Sequence, residues 1–270
     1  MNIIDIISYI ILGIIQGFTE PLPISSSGHL LIFKNLINTN NLNDLNFEII
    51  VNFGSLLAVL FIYRKKILNI INDFFKYIKT KELKYYTNFK YALLIVVATI
   101  PAGILGLLLK DKIEALSSNV KYVGIALLVT ALALFIVKSI DGKKDDKDIT
   151  YKDAIKVGLF QAIALLPGIS RSGATLTGAL LCNIKKEKAF DYSFMLYIPI
   201  SVATMMLGVS DLIKEPNLNN LILPYTLGMI ASMIVTYFSL KLFMDIVKKK
   251  KLMYFVFYCL IVGTLVILFL

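Results

Sequence analysis

Three ionisable side chains stand out because each lies inside an otherwise apolar stretch: Glu20, His29 and Arg171. A charge in such surroundings is costly and is kept, as a rule, for a task. Gln16 precedes Glu20 by one helical turn, so both side chains leave the helix on the same face. Pro21-Leu22-Pro23 then stops that helix. Ser25-Ser26-Ser27-Gly28 opens a second one just before His29. Serines suit a helix start, and the free backbone N–H groups there attract anions. A second cluster, Pro167-Gly168-Ile169-Ser170-Arg171-Ser172 followed by Thr175, repeats the hydroxyl-rich helix start and adds a guanidinium suited to phosphate.

Two helix starts, five serine hydroxyls and an arginine favour a polyanion such as a diphosphate. A carboxylate among them would repel it, so Glu20 needs a proton, a bound cation, or work as a general base. A divalent metal bridging Glu20, with Gln16 beside it, to phosphate is one solution. These residues alone do not separate binding from cleavage. Each also has a plainer reading: Glu20 and Arg171 as a structural ion pair, His29 as a satisfied core histidine, the serines as caps. Gln16 and Gln161 could be hydrogen-bond glue between helices, and for Gln161 that reading is preferred.

The elements that position these residues follow from the apolar pattern. Of the 270 residues, 57% are hydrophobic and 17% charged, against about 45–50% and about 25% in soluble domains. A water-soluble fold of this size could not hide that much apolar surface. Runs of membrane-crossing length lie near 47–63, 91–109, 120–138, 189–209, 221–243 and 252–270. Two more apolar regions, 3–37 and 154–183, are interrupted by Pro, Gly and Ser. They read as re-entrant helix–loop–helix hairpins, tolerated where protein or water surrounds the exposed backbone. The expected fold is all-α: a polytopic membrane protein of six transmembrane helices plus two re-entrant hairpins.

Basic residues orient it. The connections 64–90, 138–156, 185–188 and 241–251 hold 22 Lys and Arg, while the opposite side holds Lys34, Lys110, Lys112, Lys121 and Lys214. The positive-inside rule places both termini outside. The formal net charge of +10 thus marks cytoplasmic loops rather than nucleic-acid binding. The 66–90 stretch reads as an amphipathic helix on the anionic inner leaflet. Cys182 and Cys259 sit in apolar runs and offer no disulfide framework, and no removable signal peptide is expected.

The chain also repeats itself. At an offset of 145 residues Gly13 matches Gly158, Gln16 matches Gln161, and Ile24, Ser25, Ser27 and Gly28 match Ile169, Ser170, Ser172 and Gly173. Three spans follow each copy, and an odd number of crossings inverts the second copy relative to the first. A single integral membrane domain, 1–270, is therefore expected to be an inverted repeat of about 1–140 and 154–270. A polar linker, about 141–153, joins the halves, and the hairpin tips meet near the bilayer midplane.

Gln16-Gly17-Phe18-Thr19-Glu20 with Pro23-Ile24-Ser25-Ser26-Ser27-Gly28-His29 resembles the [E/Q]-x-x-x-E and S-S-x-G-H signature of the undecaprenyl-diphosphate phosphatase (bacitracin-resistance) family. Pro167 to Thr175 resembles its P-G-x-S-R-S-x-x-T motif, and Phe47-Glu48, Gly54 and Ala58-Val59 fit its first full span. The resemblance covers essentially the whole chain. It implies hydrolysis of undecaprenyl diphosphate to the monophosphate carrier of cell-wall synthesis, with Mg²⁺ or Ca²⁺, on the outer face of a bacterial plasma membrane. It also implies bacitracin resistance. Glu20, Ser26, His29 and Arg171 are the matched catalytic positions. From the two hydroxyl-rich helix starts, Ser25, Ser27, Gly28, Gly168, Ser170, Ser172 and Thr175 are the candidate substrate-binding set, with Glu20 and Gln16 toward a metal. A homodimer is left open.

The mechanism expected from this set is attack of Ser26 on the terminal phosphoryl group, with Glu20 or His29 taking the proton. Arg171 and the helix N-termini would stabilise charge. His29 is the one histidine in the chain, which rules out the two-histidine route of PAP2-type lipid phosphatases. The competing class is a polyprenyl-phosphate flippase, which would use the same midplane half-helices but needs no nucleophile or base.

Overall fold

The computed structural model describes residues 3–37, 45–109, 112, 113, 116, 119–214, 218–249 and 251–270. Of the basic residues used for orientation, Lys110 and Lys250 lie outside the described residues. Among those described the fold is all-helical: α1 (Ile3–Thr19), α2 (Ser26–Ile37), α3 (Leu45–Thr80), α4 (Tyr86–Leu108), α5 (Val120–Val137), α6 (Tyr151–Ile163), α7 (Arg171–Leu181), α8 (Lys186–Ile213), α9 (Leu218–Lys248) and α10 (Met253–Phe269).

Five stretches, Asn46–Thr80, Leu83–Leu108, Val120–Val137, Lys186–Val209 and Leu218–Val247, are long and apolar enough to cross a membrane. They coincide with the first five spans expected from the sequence. The sixth, expected over 252–270, is the apolar helix α10 of 17 residues. At 1.5 Å per residue it is about 26 Å long, short of a hydrocarbon core of about 30 Å. The interrupted regions give the pairs α1–α2 and α6–α7, whose members have 17, 12, 13 and 11 residues.

Two sequence expectations are corrected. The basic 66–90 stretch is not a separate interfacial helix. α3 runs unbroken for 36 residues, because nothing between Arg64 and Thr80 is a Pro or Gly and Tyr63 and Ile70 stay buried. The chain turns at Lys81, where φ is +56°, and α4 starts at Tyr86. The linker expected over about 141–153 lies a few residues earlier, over 138–150, and is firmly packed. Asp153 belongs to α6 and forms a capping box with Thr150, while Ile149 is 0% exposed. Lys144 pairs with Asp153 at 2.7 Å and bridges to the backbone of Ile184. Lys34, counted among the few basic residues opposite the charged loops, is buried against Glu48 at 2.6 Å.

The packing repeats with the sequence. α1 lies along α9, and its counterpart α6 lies along α4, while α5 packs on α10 and α3 on α8. At the two corresponding crossings sit Gly13 and Gly158. A Cβ on Gly13 would collide with the carbonyl of Gly228, and one on Gly158 with the carbonyl of Ala98. Small residues that let helix backbones approach this closely are the usual glue of membrane bundles. Hydroxyls add to it: Ser232 Oγ donates to the Val51 carbonyl at 2.7 Å and Thr236 Oγ1 to Ser55 Oγ at 2.8 Å, all buried between α3 and α9.

Candidate active site

The last turn of α1 carries Gln16, and Glu20 follows directly after Thr19, its N–H donating to the Gln16 carbonyl at 2.8 Å. The prolines at 21 and 23 then force the chain out of the helix. Ser25 takes φ +69°, a left-handed conformation that a residue with a Cβ adopts at a cost of about 1–3 kcal/mol. From there α2 begins at Ser26. In the second half the turn passes through Gly168 at φ +86°, and α7 begins at Arg171.

The two helix starts are built alike. Ser25 Oγ accepts from the Gly28 N–H at 3.3 Å, and Ser170 Oγ accepts from the Gly173 N–H at 3.1 Å. Ser25 and Ser27 hydroxyls lie 3.5 Å apart, and those of Ser170 and Ser172 lie 3.2 Å apart. A Cβ on Gly28 would meet Gly168 at 3.3 Å, and one on Gly173 would meet Pro23 at 3.4 Å. The turns therefore touch through matched positions, and both helix N-termini are brought to one place.

Glu20 is the meeting point. Its Oε2 accepts from Gln16 Nε2 at 2.9 Å and from the Ser26 hydroxyl, while its Oε1 accepts from Arg171 Nη2. Beside it lies a small pocket of about 10 Å³ bounded by Glu20, Arg171, Ser172, Thr175, Ser193 and Tyr197, with Pro21, Val59 and Phe194 as its apolar wall. Ser172 Oγ donates to the Leu22 carbonyl at 3.0 Å, and Thr175 and Ser193 share a hydroxyl–hydroxyl contact.

The profile of the bacitracin resistance protein BacA matches residues 9–265. The chain belongs to the BacA family. Among its relatives, a protein named undecaprenyl-diphosphatase 2 from Bacillus thuringiensis (strain Al Hakam) is 48% identical over 98% of both chains. An undecaprenyl-diphosphatase from Oceanobacillus iheyensis is 44% identical over 100% of this chain and 98% of its own. Undecaprenyl-diphosphatase 1 of Bacillus licheniformis is 42% identical over the full length of both.

Against the sequence-derived set, this BacA member gathers Glu20, Arg171, Ser172 and Thr175 around one pocket, with Gln16 and Ser26 joined to it through Glu20. Ser25 and Ser170 are buried as caps, and Gly28 and Gly168 serve the contact between the turns. Ser27 lies at the exposed side of α2. His29 is held elsewhere. Its Nδ1 lies 2.7 Å from the Ser25 carbonyl and its Nε2 2.7 Å from the Tyr258 hydroxyl. Because a carbonyl only accepts, Nδ1 carries the proton and Nε2 accepts from Tyr258. Both nitrogens are thus engaged, in a side chain only 6% exposed. The sequence reading passes over Ser193, Tyr197 and Ser201 of α8. Their spacing of four within an apolar helix, which aligns them on one face, was the available signal.

A divalent cation finds limited protein ligation here. No group of three or more His, Cys, Asp or Glu side chains occurs among the described residues, and both Glu20 oxygens have protein partners. One carboxylate with the remaining positions left to phosphate and water is nevertheless a usual setting for Mg²⁺, so the donor set fits a cation that arrives with its substrate.

Proposed function

We propose that this chain hydrolyses undecaprenyl diphosphate to undecaprenyl phosphate and inorganic phosphate. The observation that carries the reading is Glu20 placed between the Ser26 hydroxyl and the Arg171 guanidinium, at a pocket lined by the start of α7. The names of relatives over the full chain length support it.

In this reading Ser26 Oγ attacks the terminal phosphorus and its proton passes to Glu20 Oε2. The bond to the bridging oxygen breaks, and undecaprenyl phosphate leaves. Glu20 passes that proton to the departing phosphate and, ionised again, takes one from water; the water oxygen cleaves the phosphoserine, inorganic phosphate leaves, and the proton returns to Ser26 Oγ. Arg171 and the N–H groups opening α2 and α7 face the charge that grows on the non-bridging oxygens. His29 supports the Ser25 turn beneath Ser26. A bound Mg²⁺ or Ca²⁺ would supply further charge neutralisation, with Glu20 as its protein ligand and Gln16 beside it. The flippase alternative finds no support: the relatives carry hydrolase names, and transport alone gives no use for the hydroxyl–carboxylate contact of Ser26 and Glu20.

The finer membrane arrangement belongs to the same proposal. α10 makes a sixth crossing, α1–α2 and α6–α7 are re-entrant hairpins of an inverted repeat, and the termini and the site face the outside. The contacts matched at an offset of 145 residues support the repeat, and the distribution of Lys and Arg supports the orientation.

Phosphate release from undecaprenyl diphosphate by the purified protein in detergent tests the function. Release with Mg²⁺ that is lost with chelator and with Arg171→Ala is expected. Folded protein that binds the lipid and releases nothing would overturn the reading.

A further inference from the structure

Arg171 is held by more than its carboxylate. Its guanidinium carbon lies 4.1 Å from the centroid of the Tyr197 ring, and its Nη1 donates to Ser201 Oγ at 3.3 Å. Tyr197 is itself fixed: it is only 4% exposed, and its hydroxyl donates to Asn52 Oδ1 at 2.8 Å and toward the Asn52 carbonyl at 3.1 Å. The chain of contact runs from α3 through α8 to the first residue of α7, and Tyr197 also borders the pocket.

We propose that Tyr197, anchored through its hydroxyl to Asn52, is a positioning residue that sets the plane of the Arg171 guanidinium toward the transferring phosphoryl group. The inference rests on the diphosphatase reading above. The ion pair to Glu20 through Nη2 and the bond to Ser201 through Nη1 fix two nitrogens but leave the guanidinium plane free to tilt about the line between them. A ring against its face removes that freedom, and stacking of this kind strengthens where water is excluded. The ring also holds at the moment the ion pair weakens. When Glu20 takes the Ser26 proton its attraction for Arg171 falls, just as the phosphoryl oxygens need the guanidinium in place. The contact with Tyr197 does not depend on the charge of Glu20. Small errors in the placing of such a group lower turnover steeply.

The test is a double-mutant cycle on phosphate release by the purified full chain, with substrate varied so that kcat and KM separate. Tyr197→Leu is expected to lower kcat about 10- to 100-fold while KM moves less than about 3-fold. In an Arg171→Lys background the same change is expected to cost less than about 3-fold, because an ammonium has no plane to fix. A residue needed only for packing would cost the same factor in both backgrounds, and that result would overturn the proposal. If Tyr197→Leu does not fold, Tyr197→Phe keeps the ring and removes only the hydroxyl bond to Asn52. It is expected to lose about 2- to 5-fold in kcat with Arg171 present and nothing further with Lys. Equal losses in both backgrounds would again overturn the clamp alone, with the wild type still active. A wild type that releases no phosphate would overturn the diphosphatase reading and this inference with it.

Discussion

Ser26 and Arg171 occupy the same position in two copies of one motif, 145 residues apart, and they meet at opposite oxygens of a single carboxylate, Glu20. The second half offers no second carboxylate: Leu165 stands where Glu20 stands in the first. One copy thus provides a hydroxyl and the other a cation, and a repeated architecture yields one site instead of two.

Removing the hydroxyl should stop the chemistry and spare binding. Ser26→Ala is expected to lower turnover by about 10³-fold or more, as loss of a nucleophile does, with lipid retention in a co-purification assay unchanged. Near-wild-type phosphate release would eliminate Ser26 as nucleophile and leave direct attack by water.

His29 is expected to behave as a support. His29→Ala removes the imidazole bond to the Ser25 carbonyl, which keeps its backbone N–H donor, and frees the Tyr258 hydroxyl, which should lower stability by about 1–3 kcal/mol and turnover about 10-fold. Tyr258→Phe should show a weaker form of both effects. A complete loss of turnover at unchanged melting temperature would show instead that the imidazole takes part in proton transfer.

The glycine crossings give a test of packing with an internal control. Gly13→Ala and Gly158→Ala each drive a methyl into a neighbouring carbonyl, so each should destabilise by about 1–3 kcal/mol. Gly103, inside α4, has nothing within 4 Å of where its Cβ would lie. Gly103→Ala should therefore be neutral or stabilise slightly, by up to about 1 kcal/mol. Equal melting temperatures for all three variants would contradict the close approach.

Acid should selectively weaken the junction between the halves. Burial pushes the Asp153 carboxyl upward, but the Lys144 ammonium and the Thr150 N–H and hydroxyl outweigh it and hold the group below its ordinary value of 3.8. A carboxyl lowered on folding adds stability that is complete above the unfolded pKa and is lost as pH falls through the folded one. Asp153→Asn should therefore melt below the wild type at pH 6, with the gap closing as pH drops under 4. A gap independent of pH would assign the effect to packing.

Apolar run length marked the spans, because a bilayer sets a length that composition reports directly. The recurrence of Gly13, Gln16, Ser25, Ser27 and Gly28 at one offset marked the paired turns, since capping and close approach need those residue types at those places. Glu20, Ser26 and Arg171 were legible as charges and hydroxyls with no business in an apolar segment. Local signals did not reveal which atoms face which. That Glu20 lies between Ser26 and Arg171 depends on two turns touching across 145 residues. That His29 faces Tyr258 depends on where α10 packs, and that Tyr197 sits under Arg171 depends on where α8 crosses α7. The continuation of α3 past Tyr63 also went unread, because a run of lysines looks the same at a helix end and on a bilayer surface. Period and composition report what a segment is, whereas contacts between segments are fixed by packing of the whole bundle, and only the tertiary structure decided those.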